Sequence, residues 1–252
     1  MQEFLRFIGY GFCHQLPLRS FEAGGLTFPV CARDTGIYLG FFFTIVVAFI
    51  LYARHEKKPV ALSEALPATS PHTFPAALPP APYLAILALF VLPMAVDGVT
   101  SYLGLRETTN TIRYITGFFT GIAIGSLITP LLFAIRKDAD PGQKVFTKAS
   151  TVVIQLALTL ALGTAFLFGY PYLGFVSPFF PVIAFLAILG SVNLILLTLS
   201  KRFSPRHTRG HWLMLLVICL ALAFVEISVF AAVRELVVHY VFGGHDFADF
   251  LS

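Results

Sequence analysis

The chain of 252 residues is predicted to be all-α, a polytopic transmembrane helix bundle of about six spans with a structured extracytoplasmic N-terminal loop. Hydrophobic residues make up 57% of the sequence and charged residues only 12%, whereas soluble domains carry roughly 25% charge. A soluble protein needs charged groups to wet its surface, so this shortage favours lipid as the solvent. Runs of about twenty apolar residues, long enough to cross a bilayer, predict the same class.

The N-terminal segment is too irregular to span a bilayer, because Pro17, Pro29 and the Gly24-Gly25 pair interrupt it. We expect an interfacial helix there, from Phe4 to about Phe12, followed by a structured loop. The second span is short, and we expect it to be bent or broken near Pro93. The six spans are predicted at Ile37–Ala53, Tyr83–Val96, Ile112–Ile135, Ala149–Phe168, Val176–Leu199 and Trp212–Val233.

The predicted spans divide the chain into three parts. Residues 1–36 form an extracytoplasmic or interfacial motif segment, and residues 37–135 contain spans one to three. Residues 136–252 contain spans four to six and an interfacial C-terminal tail. Within the middle part, residues 59–82 are rich in proline and are expected to form an extended cytoplasmic linker. Residues 97–112 are expected to form the outer loop between spans two and three.

Basic residues are distributed unevenly among the predicted loops. Every lysine lies in the loops after spans one, three and five. The basic residues of these loops are Arg54, Lys57, Lys58, Arg136, Lys137, Lys144, Lys148, Lys201, Arg202, Arg206 and Arg209. Because positively charged loops stay in the cytoplasm, we expect a multi-pass protein of the cell (plasma) membrane with both termini extracytoplasmic.

The basic residues on the predicted outer side are all arginines. They are Arg6, Arg19, Arg33, Arg106, Arg113 and Arg234. A planar guanidinium holds a carboxylate or a phosphate by two parallel hydrogen bonds, which a lysine ammonium does not do. This bias favours anion binding on the outer side. The alternative is that some of these arginines only pair with nearby acids, namely Glu3, Glu22, Glu107 or Glu235.

A first cluster of reactive side chains lies in the N-terminal segment, at Cys13, His14, Gln15, Arg19, Cys31, Arg33 and Asp34. Cys13 and Cys31 facing an oxidising compartment would form a disulfide, whose loop of about 18 residues is worth roughly 3 kcal/mol. Alternatively, Cys13 or His14 joins Cys31 and Asp34 as ligands of a zinc-like divalent metal. Unbonded packing of the two thiols is the third possibility, and the sequence leaves all three open.

A second cluster fills the predicted outer loop, at Asp97, Arg106, Thr109, Asn110 and Arg113. Thr109 or Asn110 is a suitable N-cap for the third span. A helix start with two arginines nearby is also typical of an anion site, because its free backbone amides point at the ligand. Asp97 lies at the outer end of a short span, where a carboxylate needs a partner.

The predicted topology brings both clusters to the same face of the membrane. Four charges at one depth are costly to desolvate separately, so grouping them lets opposite signs offset each other. We therefore expect one pocket, with Cys13-His14-Gln15 as its roof. The residues expected around it are Arg33, Asp34, Asp97, Arg106 and Arg113.

Polar residues within the predicted spans have different expected roles. Glu226 in span six is costly in lipid unless it is paired or faces a polar cavity. Gln155 and Asn193 are expected to form interhelical hydrogen bonds. Small residues spaced four apart allow a close helix approach, and span three has this pattern at Gly117, Gly121 and Gly125.

The two clusters resemble an uncharacterised prokaryotic membrane-protein family, domain of unknown function 2085. The resemblance covers roughly residues 10–125 and rests on two stretches. These are Cys13-His14-Gln15, Arg19-Ser20-Phe21 and Cys31 to Tyr38, then Asp97-Gly98, Gly104-Leu105-Arg106, Asn110, Arg113 and Thr116-Gly117. Many members similar to this chain have Cys where Asp34 stands, an exchange that keeps both the metal and the disulfide interpretation open. The resemblance implies no established activity.

Three functions follow as hypotheses. In the first, the protein is an enzyme or carrier for an anionic lipid or polyprenyl-phosphate headgroup, with Asp34 or Asp97 as general acid–base or metal ligand. The residues expected to bind the phosphate are Arg19, Arg33, Arg106 and Arg113, with Gln15 and Asn110 as further ligand residues. In the second, it is a metal- or thiol-based redox protein. In the third, it is a non-catalytic subunit or assembly factor that docks a membrane-protein partner. No basic tract interleaved with aromatic residues occurs, so nucleic-acid binding is not expected.

Overall fold

The computed structural model describes residues 1–55, 74–136, 139–199 and 209–241. Six helices in these ranges are long and apolar enough to cross a membrane, which confirms the predicted class. The helices are α1 (Gln2–Tyr10), α2 (Ala32–His55), α3 (Ala81–Tyr102), α4 (Asn110–Ala134), α5 (Ala149–Gly169), α6 (Phe179–Leu199) and α7 (Arg209–Val241). Single 3-10 turns occur at Pro17–Arg19 and Gly174–Val176.

Several helices differ in length from the predicted spans. The second span, α3, runs through Pro93 without a break and continues to Tyr102. It therefore takes in Asp97, which the sequence placed in a loop. The last span, α7, is eight residues longer at its C-terminal end than predicted and reaches Val241. Both extensions keep polar residues helical, because those residues find partners at this end of the bundle, as described below.

Two short sheets cap opposite ends of the bundle. β1 (Glu22–Ala23) and β2 (Leu26–Thr27) form an antiparallel hairpin around Gly24 and Gly25, whose φ angles of 58° and 76° suit glycine. β3 (Phe74–Ala77) and β4 (Ala139–Lys144) pair in parallel. β3 lies in the proline-rich stretch predicted to be an extended linker. Residues 59–73 of that linker are outside the described ranges, as are parts of the predicted tail and loops.

The closest helix packing is between α2 and α4, and glycines make it possible. A Cβ built on Gly117 would lie 2.2 Å from the Arg33 carbonyl oxygen, and one on Gly121 would lie 2.2 Å from that of Ile37. Both helices contribute, since Gly36 of α2 meets the Tyr114 carbonyl in the same way. The contacts advance in the same direction along both helices, so α2 and α4 are parallel and start at the same face. The glycine face predicted from the sequence is confirmed.

Aromatic side chains hold the N-terminal loop on top of this pair. Phe21 and Phe28 are buried, and their rings pack against Tyr114 and Tyr170 with centroids 4.7–6.0 Å apart. The Tyr114 hydroxyl donates to the Gly163 carbonyl at 3.0 Å, which ties α4 to α5. The loop between α1 and α2 is thereby a structured cover, as the sequence predicted.

Polar side chains inside the spans form interhelical hydrogen bonds. The Gln155 amide of α5 donates to the Thr44 carbonyl of α2 at 2.7 Å. Asn193 of α6 donates to a Glu226 carboxylate oxygen of α7 at 3.3 Å. Glu226 thus has a neutral partner for its otherwise costly carboxylate.

Candidate functional site

Asp97 is the centre of a charged group at the end of the bundle where α2 and α4 begin. Its side chain is only 1% exposed, and each carboxylate oxygen accepts from a different arginine. Arg33, in the first turn of α2, donates to Oδ2. Arg106, in the loop after α3, donates to Oδ1 at 2.9 Å. These pairs join α2 to α3 and explain why Asp97 remains helical in a nearly apolar span.

Arg113 lies beside this group, in the first turn of α4. Its guanidinium donates to Asn110 Oδ1 at 3.3 Å. Asn110 in turn donates from its amide nitrogen to the carbonyls of Leu18 and Ser20, at 3.2 and 3.1 Å. The loop that contains Arg19 is therefore fastened to the start of α4. Arg113 interacts electrostatically with the positive charges of Arg19 and Arg33 and with the negative charge of Asp97.

Thr109 caps α4 as predicted. Its hydroxyl accepts from the Ile112 amide at 3.3 Å, and its backbone is extended. The Arg113 amide is bonded to the Thr109 carbonyl at 3.0 Å, so it is already used within the helix. The cap fixes the residue at which α4 begins, next to the charged group.

His14 lies close enough to several arginines to interact with them electrostatically. Its Nδ1 accepts from the Leu16 amide at 3.2 Å, which assigns the proton of the neutral ring to Nε2. Burial, followed by the positive charges of Arg19, Arg113, Arg234 and Arg33, lowers the pKa of His14 to about 4. At neutral pH the imidazole is therefore an uncharged N–H donor in a positive field.

Cys13, Cys31 and Asp34 form a compact group below this loop. Their ligand atoms all lie within 4.8 Å of one another, and both thiols are buried and free. Cys13 Sγ accepts from the Cys31 amide at 3.1 Å, and Cys31 Sγ donates to Asp34 Oδ2 at 3.3 Å. The hydrogen bond with the Cys31 side chain, together with burial, raises the pKa of the Cys13 thiol. In the absence of a metal, Cys13 is thus a neutral thiol.

Gln15 has a structural role that the sequence did not predict. It adopts a left-handed backbone, with φ of 52°, and its amide donates to the carbonyls of Arg6 and Pro29 at 2.7 and 2.8 Å. These bonds fix the end of α1 to the segment before α2. A neighbouring polar cavity of about 380 Å³ is lined by Glu3, Arg6, Phe7, Tyr10, His14, Gln15 and Pro17.

The structure brings most of the predicted site residues together, in two adjoining groups. Asp97, Arg33, Arg106, Arg113 and Arg19 form the charged group, which we call the arginine cluster. The thiol group contains Cys13, Cys31 and Asp34. His14 lies outside the thiol group and beside the arginine cluster, and Glu226 belongs to neither. The metal set predicted with His14 is thus assembled without it.

Sequence reasoning expected Arg234 to bind an anion or to pair with a nearby acid, whereas in the structure it holds the N-terminal loop from α7. Its guanidinium donates to the carbonyls of Tyr10 and Cys13 and lies 4.3 Å from the centroid of the Tyr10 ring. Tyr10 also donates to Glu235 at 2.6 Å. The signal available in the sequence was a lone arginine at the outer end of the last span, although its partners are more than 220 residues away along the chain.

Comparisons with known proteins match the part of the chain that contains both groups. The model of a family described as predicted membrane protein (DUF2085) matches residues 13–127. An uncharacterized protein of Methanothermobacter thermautotrophicus is 33% identical over 115 residues, covering 46% of this chain and 82% of that protein. An uncharacterized protein of Methanocaldococcus jannaschii is 40% identical over 121 residues, covering 48% of this chain but only 64% of that protein. No solved structure matches.

Proposed function

This chain belongs to the DUF2085 family of predicted membrane proteins, and we propose that it binds an anionic lipid headgroup of the phosphate class, such as that of a polyprenyl phosphate, in the arginine cluster. The protein is an integral membrane protein with six candidate spans. The match to the family covers the cluster residues from Arg19 to Arg113. The ligand follows from the charges at this end of the bundle.

The observation that carries the proposal is an excess of guanidinium groups over carboxylates. Arg33 and Arg106 share one carboxylate, that of Asp97. Within the described ranges, Arg19 and Arg113 have no carboxylate within ion-pair distance. The Nε of Arg33 is buried and has no hydrogen-bond partner there either. Buried or half-buried cations need a counter-charge, and an anion with several acceptor oxygens would supply it.

Helix direction adds to the positive field. Because α2 and α4 are parallel, their N-termini lie at the same face, next to Arg33 and Arg113. Each N-terminus carries the positive end of a helix dipole. The neutral His14 ring adds an N–H donor without adding charge. All of these features favour an anion over a neutral or cationic ligand.

The depth of the cluster favours a lipid headgroup. Arg33 and Arg113 lie in the first turns of membrane-spanning helices, at the level where the apolar region begins. A phosphate attached to an acyl or polyprenyl chain lies at this level of a bilayer. The exposed apolar side chains of α3, among them Leu92, Val96 and Val99, provide a surface for that chain next to Asp97.

Asp97 acts in this proposal as a positioning residue. Both of its oxygens are occupied by guanidinium donors, so it aligns Arg33 and Arg106 and does not contact the ligand. Asp34 belongs to the thiol group, where its carboxylate accepts from the thiols of Cys31 and Cys13, and it has no part in headgroup binding. The subunit hypothesis is less favoured, because it expects every arginine at this face to form an ion pair with an acidic side chain.

We further infer that the arginine cluster faces the outside of the cell, since the lysine-bearing loops belong to the opposite end. Lys144 lies in β4 at that end and is exposed, and Glu107 is exposed beside the cluster. In intact cells, a cysteine at Glu107 should react with a membrane-impermeant thiol reagent, and one at Lys144 should not. The native thiols are buried, so the unsubstituted chain gives the background. Labelling at Lys144 but not at Glu107 would show that the protein has the opposite orientation in the membrane.

Ligand binding is tested with a matched pair of lipids. The purified full-length protein, delipidated in detergent, is titrated with a polyprenyl phosphate and with the corresponding polyprenol by native mass spectrometry. Replacing Arg113 or Arg19 by Gln removes a charge-assisted hydrogen bond worth about 1.5–3 kcal/mol, so affinity for the phosphate should fall roughly 10- to 100-fold. Binding of the alcohol should not change.

Lys148→Gln, at the opposite end of the bundle, is the control for loss of one positive charge. Competition by inorganic phosphate distinguishes a lipid headgroup from free phosphate as the ligand. If the ligand is a lipid, free phosphate should displace it only weakly. Equal affinity for the phosphate and the alcohol would overturn the proposal. An equal loss in Lys148→Gln and Arg113→Gln would do so as well, because it would indicate nonspecific attraction.

A further inference from the structure

The thiol group has the composition and geometry of a metal site that the proposed lipid function does not use. Cys13 follows α1, Cys31 immediately precedes α2, and Asp34 lies in the first turn of α2. Each offers one ligand atom, and the three atoms lie within 4.8 Å of one another. Ligands of a tetrahedral ion with bonds of about 2.0–2.3 Å are separated by roughly 3.3–3.8 Å. Small side-chain rotations would therefore suffice to place all three on one ion.

We propose that Cys13, Cys31 and Asp34 bind one zinc-class divalent ion. Thiolate sulfur is a soft ligand that selects zinc and related ions over magnesium or calcium, and a carboxylate completes a mixed set that zinc accepts. Three protein ligands leave one tetrahedral position for water or another small ligand. His14 does not fill it in this arrangement, since its Nδ1 accepts from the Leu16 amide and its Nε2 therefore carries the ring proton.

The backbone around the sulfurs is arranged to receive metal-bound thiolates. The Cys31 amide donates to Cys13 Sγ at 3.1 Å, at the point where α2 begins. An N–H donor and the positive end of a helix both stabilise negative charge on sulfur. Binding releases the two thiol protons to solvent. A doubly charged ion with two thiolates and one carboxylate carries one net negative charge, which Arg33, between the ligands Cys31 and Asp34 in sequence, would offset.

A disulfide fits the same residues less well. The Cys31 thiol donates a hydrogen bond to Asp34 Oδ2 at 3.3 Å, and the Cys13 thiol is a second donor to this carboxylate. Oxidation of Cys13 and Cys31 to a disulfide would remove both donors. A half-buried carboxylate left in this way is unfavourable. The metal instead uses all three side chains together.

The first test is the metal content of the full-length protein, purified in detergent from cells grown with added zinc. We expect close to one equivalent of zinc by elemental mass spectrometry. X-ray absorption should give two Zn–S bonds near 2.3 Å and oxygen ligands near 2.0–2.2 Å. Cys13→Ser, Cys31→Ser and Asp34→Asn should each lose most of the metal. Cys219→Ser, which removes the third cysteine in α7, should retain it.

A variant that strengthens the site separates metal binding from misfolding. Asp34→Cys replaces an oxygen ligand by a sulfur ligand, so it should keep one zinc and show three Zn–S bonds in place of two. Cobalt substitution offers an independent readout, because thiolate-to-cobalt absorption should appear in the wild type and in Cys219→Ser but not in Cys13→Ser. These measurements do not involve lipid, so they test the metal site independently of the proposed headgroup site.

Several results would overturn the proposal. One is a metal-free protein whose Cys13 and Cys31 peptides remain joined until a reductant is added, which would establish the disulfide. Another is a metal-free protein with two alkylatable thiols at these positions, even after incubation with zinc. Equal zinc content in Cys13→Ser and the wild type would show that the ion binds elsewhere.

Discussion

The central helix of the part matched by the family, α4, and the last three spans are packed in different ways. In the apolar window of α4, 67% of the residues are buried inside the protein, whereas the figure is 22% for each of α5, α6 and α7. The other two spans of the matched part lie on either side of these values, with 39% for α2 and 11% for α3. α4 is surrounded by other protein elements, and the later helices present apolar side chains to lipid. A functional site needs side chains held by protein on several sides, and both groups lie next to α2 and α4. The most buried span and the candidate chemistry therefore lie in the same part of the molecule.

The polar groups of the two halves differ as well. In the first half, Asp97 forms ion pairs with Arg33 and Arg106. Arg19 and Arg113 have no carboxylate within ion-pair distance among the described residues. The second half carries Glu226, whose hydrogen-bond partner is the uncharged Asn193. A hydrogen bond between a carboxyl group and an amide serves packing between helices, whereas the arginine cluster holds more positive than negative side chains. Substitutions in matched pairs, one in each half, test this contrast.

The largest effect is expected for removal of the shared carboxylate. Asp97→Asn leaves Arg33, 17% exposed, without its counter-charge, which should cost on the order of 3 kcal/mol. The Arg106 pair adds little, because that side chain is 51% exposed. In the second half, Glu226→Gln keeps an acceptor for Asn193 and should cost less than about 1 kcal/mol. Thermal unfolding of the purified protein in detergent measures both, and similar losses would contradict the contrast.

A second pair compares glycines on two helices. Gly121→Ala in α4 would place a Cβ 2.2 Å from the Ile37 carbonyl oxygen, and such overpacking costs typically 1–3 kcal/mol. Gly190→Ala in α6 meets nothing within 4 Å, so it should stabilise its helix by roughly 0.5–1 kcal/mol. The two thermal midpoints should therefore move in opposite directions. A gain for Gly121→Ala would show that α2 and α4 are not in contact along this face.

The smallest expected effect concerns the start of α4. Thr109→Ala removes the hydroxyl that accepts from the Ile112 amide, a loss of about 1 kcal/mol. Thr111→Ala, two residues further on and exposed, is the control and should change stability by less than about 0.5 kcal/mol. Since the cap also positions Arg113, Thr109→Ala should weaken polyprenyl-phosphate binding while leaving zinc content unchanged. Equal thermal midpoints for the two variants would mean that the cap contributes nothing.

Much of the architecture could be predicted from residues alone. Apolar length predicts the six spans, and the polar pair Thr109-Asn110 indicates the start of α4. The spacing of Gly117, Gly121 and Gly125 indicates the close helix contact. The grouping of Arg33 with Asp97 followed from the cost of separating charges in lipid. These are local or energetic rules, which hold whatever the partners of each residue.

What could not be predicted depends on distant backbone groups. The sequence predicts Gln15 and Asn110 as ligand residues, but their amides donate to backbone carbonyls. These are the carbonyls of Arg6, Pro29, Leu18 and Ser20. No spacing rule connects Asn110 to a loop some ninety residues earlier. The length of α3 was underestimated for a similar reason, because a carboxylate usually ends an apolar span, and Asp97 does not do so once two arginines neutralise it.

The interlocked glycines of α2 and α4 have a mechanical consequence. Because each helix rests on the backbone of the other at several levels, neither can slide or rotate without a collision between main chains. Membranes differ in thickness, and a helix adapts to a thinner or thicker bilayer by changing its tilt. The α2–α4 pair would have to tilt as one body, carrying Arg33 and Arg113 with it. The distance between these two cations should therefore be the same in any membrane that the protein occupies.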